Sequence, residues 1–405
     1  MSKFKNFFLF LQKISFVLDN NKKKLPKLVF LFILISFLDI LGIGLLLPLI
    51  SIISDIQIVN LGFINKVLGN NYFNFQDSHL IFLITILVLL IFLIKTILYI
   101  YSSFSIVKFC HFLKAELQGK ILSGVQDMDF QNFIKKDTSH YVHHIVSITG
   151  QFTDGVVRTI LKFSSDIILS IFLIIFLAYS IDTKIFFSFV TLSIIFLTSY
   201  TFYFKDKLQK LGKISNTSSI NLIKSIKDAI KGFKEINILG KNDYYKDYLV
   251  ENAKKYAKSN TFSETLNLSS RNLLELFLIL IITMGVLIMF FLLNFTKAEM
   301  FSLLTIFCIV ALRLIPLFTN FISTFFKLKF HQDALNRIYQ DFKMINKKTD
   351  IVIKNNKINL IVDKIESLKL EKISFSYKST KKIILSNFSA EFKKNEIIGV
   401  TGQSG

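Results

Sequence analysis

The sequence contains no tryptophan, only two cysteines, and 28 acidic residues against 49 lysines and arginines. Cys110 and Cys308 stand in separate segments, which excludes a disulfide-built fold and leaves two free thiols as the expectation. Charge is scarce overall, at 19% of residues, while 52% are apolar and the mean hydropathy is +0.52. That balance excludes an ordinary soluble domain. The missing tryptophan, beside an abundance of Phe, Ile, Lys and Asn, points only to an AT-rich coding sequence.

What is there is a series of long apolar runs. A helix needs about 20 such residues to cross ~30 Å of hydrocarbon. Six runs reach that length: Leu28 to Ser54, His79 to Ser105, Thr159 to Ile181, Ile185 to Phe204, Asn272 to Phe295 and Phe301 to Phe326. A net charge of +21 in a soluble protein would point to nucleic acid, since lysines neutralise phosphates. Here the placement of the lysines argues against that partner, because they gather in alternate connections, the mark of a cytoplasmic face. Seven precede the first run against one Asp19, and thirteen lie between Lys205 and Lys258 against six acids. The opposite connections carry Lys66, Lys184 and Lys297. Both termini are therefore expected inside. Lys3 to Leu18 is interrupted and mildly amphipathic, unlike a cleavable signal.

The two inner connections, 105–158 and 205–271, are long and polar. Leu222 to Leu239 and Tyr244 to Lys258 place apolar residues three and four apart with lysines between, which predicts helices that continue well beyond the membrane and join in pairs at their tips. After the sixth run, residues 327–366 read as an exit helix and linker. From Ser367 the pattern alternates like a half-exposed hairpin, and Glu396 to Gly405 (EIIGVTGQSG) reads as a buried strand entering a glycine-rich turn. Such a turn surrounds phosphates with bare backbone N–H groups, and a lysine and a Ser/Thr beyond it reach the terminal phosphates and Mg²⁺. Gly405 precedes both in this sequence, so the chain by itself is expected not to hydrolyse ATP. Three readings are open on that ground: a fragment of a longer transporter, a frameshifted non-functional product, or a subunit whose nucleotide domain is supplied in trans.

Six runs with two long inner loops, succeeded by LxLEKISFSY, ILSNFS and GQSG, resemble an ATP-binding cassette (ABC) exporter half-transporter, and the resemblance covers essentially the whole chain. It implies an all-α, six-span membrane domain at 28–326, behind an N-terminal interfacial segment at 1–27, and the first strands of an α/β P-loop domain at 367–405. It further implies a homodimer in a bacterial inner membrane and ATP with Mg²⁺ as cofactors of the complete protein. Tyr377 would stack on adenine, and Gly402, Gln403, Ser404 and Gly405 would open the phosphate loop. Two coupling helices would dock on the nucleotide domain, the first around Asp129, Phe130 and Phe133, the second from Phe233 to Gly240 with Glu235.

An ionisable residue deep in a span costs about 2.5 to 3.5 kcal/mol on insertion scales and calls for a partner or a task. Lys95, Arg271 and Arg313 stand out, and three cations facing one cavity would suit a phosphate. Other roles stay open: Lys95 pairing with Asp39 or snorkelling, Arg271 pairing with Glu275 one turn on, Arg313 stabilising a kink at Pro316. The segments FLDILGIGLLLP, SRNLLE and ALRLIPLFTN resemble the PglK-type bacterial lipid-linked oligosaccharide flippases. That likeness implies that Lys95, Arg271 and Arg313 contact a lipid pyrophosphate, Lys95 standing where the subfamily has arginine. It also implies that Val59 to Leu68 forms an external helix against the polyprenyl tail. Export of a peptide, a drug or another lipid is the alternative, and a membrane scaffold without transport a remote third. His140, His143 and His144 have metal-like spacing, but no adjacent cysteine or carboxylate pair completes a site, so a solvated helix is the expectation.

Overall fold

The computed structural model describes residues 2–54, 77–180, 183–291, 315–354, 366–376 and 383–399. Helix α1 (Ser2–Leu18) ends where Asp19 adopts a φ of 45°, and a short 3-10 turn leads into α2 (Leu25–Ser54). Helix α3 (Asp77–Gln126) descends to two short helices, α4 (Phe130–Phe133) and α5 (Thr138–His143). The chain returns through π-helical turns at His144–Ile148 and Gln151–Val157 into α6 (Arg158–Ser180). Next comes a second long pair, α7 (Thr183–Lys231) and α9 (Asn242–Phe291), joined by the single-turn α8 (Phe233–Ile238). Helix α10 (residues 315–330) and α11 (Gln332–Lys354) precede a hairpin of β1 (Ser367–Ser376) and β2 (Ile383–Lys393).

Among the described residues, three helical stretches are long and apolar enough to cross a bilayer, Phe8–Gly42, Phe82–Gln126 and Asn242–Met284, and they fit a membrane protein. The expected runs at 159–181 and 185–204 fall on α6 and α7, apart from residues 181 and 182. The second half of the sixth falls on α10, and its first half lies outside the described residues. Helices α3, α7 and α9 have 50, 49 and 50 residues. At 1.5 Å per residue each reaches ~75 Å, more than twice a hydrocarbon core. The long helical extensions read from the loop periodicity are therefore present.

Two apolar clusters hold the helices together. The larger draws Val17 from α1, Phe32 from α2, Leu113 and Leu117 from α3, Phe152 and Val156 from the π-helical return, and Leu335 and Ile338 from α11. The smaller joins Leu208 of α7, Leu274 of α9, and Ile322 and Phe326 of α10. Helix α1 seals the larger cluster: Lys13 Nζ donates to Asn336 Oδ1 at 2.6 Å, and Phe16 packs edge-on against Tyr339. Where α7 crosses the end of α10, a Cβ on Gly212 would sit 1.9 Å from the Phe330 carbonyl oxygen. Only glycine allows the two backbones to approach so closely.

The hairpin pairs Leu370 with Ala390 and Phe375 with Leu385, with register shifts on either side of Ile373. Lys372 and Asn387, both at positive φ, donate their backbone N–H groups to Ser389 Oγ and Ser374 Oγ in reciprocal fashion. The half-exposed hairpin expected from the alternation is thus present, but both of its faces are open, with Leu368, Ile383 and Phe388 exposed. The expected buried strand is not found in residues 396–399, which have no regular structure and leave Ile397 fully exposed. A central strand is buried only when strands flank it, and none does so among the described residues.

Candidate functional site

The long helices end in two tips at the same end of the molecule. At the first, Asp129 turns to extended backbone (ψ 140°) and its carbonyl accepts from Asn132 and Phe133 N–H, which starts α4. Phe133 then lies flat on Tyr141, ring centroids 5.2 Å apart, while the Tyr141 hydroxyl donates to the Phe133 carbonyl. Phe130 and Ile134 face solvent. At the second tip Gly232 breaks α7, Ile236 of α8 turns inward, and Phe233, Ile238 and Leu239 are left exposed beside Glu235.

Asp137 ties the tips together. Its carboxylate caps α5 by accepting from Ser139 N–H, and it receives Lys227 Nζ of α7 at 2.5 Å, with Lys224 at 3.9 Å. The hydrogen bond from Lys227 leads the interactions that hold this carboxyl well below the usual range. Each tip thus exposes apolar side chains among lysines, Phe130 and Ile134 with Lys135 and Lys136 at the first, and Phe233, Ile238 and Leu239 with Lys234 and Lys241 at the second.

Behind the first tip the histidines depart from expectation. Helix α5 packs against α7 and α11 covers the π-helical turn that follows it, so His143 is fully buried and His144 nearly so, where a solvated helix was expected. His144 Nδ1 is 2.6 Å from Asp341 Oδ2, and the His140 ring stacks on His144 at 4.0 Å. Neither ring nitrogen of His143 has a hydrogen-bond partner among the described residues. Burial, the largest cause, lowers the His143 pKa to about 3 and the His140 pKa to about 4. Beside them Asp333 accepts from Arg337 Nε at 2.6 Å and from Asn216 Nδ2 of α7 at 2.9 Å. This polar layer was missed in the sequence, although Asp333, Arg337 and Asp341 recur at four-residue spacing and mark one face of α11.

The membrane-level cations are distributed differently. Lys95 of α3 pairs with Asp39 of α2 at 2.5 Å, and Asp39 is almost completely buried. Arg271 of α9 pairs within its own helix with Glu275 at 2.8 Å and is otherwise exposed. Both pairings are among the partners read from the sequence. Arg313 lies outside the described residues, as do Val59 to Leu68, Cys308, Tyr377, Gly402, Gln403, Ser404 and Gly405. Cys110 is a free, buried thiol. No protein-family model matches the chain.

Proposed function

We propose that this chain is the membrane half of an ATP-driven exporter of the ABC type. One observation carries the reading: two helical arms far longer than a bilayer is thick end side by side in short helices that expose apolar residues to solvent. Exposed apolar patches rimmed by charge mark docking surfaces. A nucleotide-binding domain seated on Phe130 and Phe233 would pass its closure on to the arms. The twin strands beyond α11, open on both faces, suit the first strands of such a domain, since an isolated hairpin is marginal in water.

The cargo in this reading is an amphiphile with an anionic head, a lipid-linked oligosaccharide, met by Lys95, Arg271 and Arg313 in a cavity shared by two copies. Because Lys95 and Arg271 already hold carboxylates within one chain, export of another amphiphile or a peptide is the second reading. ATP-dependent flipping of a polyprenyl pyrophosphate glycan in proteoliposomes separates them, using this chain with a functional nucleotide domain. Neutralising Lys95, Arg271 and Arg313 together is expected to abolish flipping of the pyrophosphate lipid. Unchanged flipping would remove the phosphate-contact assignment, and ATPase stimulated by peptides alone would favour the second reading.

A further inference from the structure

A cavity of about 400 Å³ opens beside the first tip, between the last turns of α3, the α4–α5 segment and α11. Its wall is apolar: Ile121, Val125 and Met128 on one side, Met344 and Ile345 on the other. The wall closes because α3 and α11 touch at Gly124, where a Cβ would lie 2.3 Å from Ile345 Cγ1. Its other end is polar, formed by Asn132, Lys135, Lys136 and His140 with Tyr141, His144 and the Asp341 carboxylate. Two unbranched methionines make the wall adaptable to the shape of an apolar body.

The charges at the polar end are unevenly spent. Lys135 Nζ donates to Asn132 Oδ1 at 2.9 Å, whereas Lys136 has no ion pair among the described residues. The neighbouring carboxylates are already engaged, Asp137 by Lys227 and Asp341 by His144. His140 Nδ1 is sealed from solvent without a partner. Nε2 is therefore the ring nitrogen left to meet a ligand. An ammonium and an imidazole nitrogen beside an apolar slot call for a ligand with an anionic oxygen head and a short apolar tail.

We propose that this cavity binds a small anionic amphiphile, its tail on the Val125, Met128 and Met344 wall and its head at Lys136 and His140. The site is separate from the membrane-level cations and stands whether or not the chain exports anything. The cavity has room for a short-chain ligand. Octyl phosphate is a matched probe.

The test uses the full chain in zwitterionic nanodiscs, with protein-free discs as the reference. Binding is measured by calorimetry and by the ¹⁵N signals of labelled histidine. Octyl phosphate is expected to bind at least tenfold more tightly than octanol or inorganic phosphate and to shift His140 while leaving His111 unmoved. Lys136→Ala, an exposed change that leaves the packing intact, is expected to weaken it at least fivefold, and Val125→Phe to abolish it by filling the slot. Equal binding of octanol, equal binding of inorganic phosphate, uptake no greater than by empty discs, or an unchanged affinity in Lys136→Ala would each overturn the assignment.

Discussion

The two halves of the helical body are built on different chemistry. The bundle of α1, α2, α3, α6 and α11 encloses a continuous apolar core and is closed by α1 packing on α11. The α7–α9 arm has a smaller apolar cluster near α10, and below it small buried polar residues, Ser215, Ser218 and Ser225 on α7 and Asn252, Ser259 and Ser263 on α9. Asn221 Nδ2 donates to Asn252 Oδ1, and Asn260 Nδ2 donates to Ser215 Oγ, between the two helices. Large interlocked side chains hold the first bundle, and short hydroxyls and amides hold the α7–α9 pair. In the exporter reading proposed above, the first bundle would be the anchor and the α7–α9 pair the lever.

The contrast is broken most severely in the anchor. Phe152→Ala removes a fully buried ring and is expected to destabilise the bundle by about 3 to 5 kcal/mol, read as a lowered thermal midpoint of the purified protein. In the lever, the steric counterpart is Gly212→Ala. Its new Cβ meets a backbone carbonyl, so a clear loss of stability is expected, while Gly119→Ala, with nothing within 4 Å, should be neutral or slightly stabilising. Equal effects of the two glycine changes would show that α7 does not approach α10 so closely.

Acid should act first on the polar layer where α5, α7 and α11 meet. Burial holds His140 and His143 below the ordinary histidine value, and His331 likewise at about 4. The unfolded chain therefore binds more protons than the folded one in acid. Stability is whole above pH ~6.5 and falls as pH drops toward about 4. His143→Leu should flatten that fall, measured as the thermal midpoint from pH 7 to 4; an unaltered pH profile would contradict the neutral buried ring. Smaller still is Lys227→Ala, which cuts the tie to Asp137 and should cost about 1 kcal/mol at most for a partly exposed pair. Lys255→Ala removes only an exposed contact to Glu251 and should leave the thermal midpoint unchanged within error.

The lever was more legible in sequence than the anchor's polar layer. Periodic apolar positions from Leu222 to Leu239 and from Tyr244 onward are local facts, and they foretold the long helices; the short helix from Phe233 was expected only from the family resemblance. The burial of His143 is a non-local fact. It depends on α11, nearly 200 residues further along, turning back to place Asp341 against His144. Nothing in the local sequence of α5 distinguishes a solvated histidine pair from one roofed by a distant helix. The hairpin shows the same division: alternation predicts its strands, while the burial of Ile397 and Ile398 depends on flanking strands that the alternation does not specify. Both cation pairings were legible as alternatives: Glu275 lies one turn from Arg271, and Asp39 is the acid of the first span, brought to Lys95 by the packing of α2 on α3.

The central claim is that the two exposed tips receive a nucleotide-binding domain. Its most direct test places a photo-crosslinking amino acid at Phe130 and at Phe233 of the protein in its native membrane, with the adducts sequenced by mass spectrometry. The account predicts that both positions capture peptides of a P-loop ATPase domain, on the same chain or another, and that a probe at exposed Tyr203, far from the tips, does not. Adducts at Phe130 and Phe233 that contain only lipid, or proteins without a phosphate-binding loop, would contradict it.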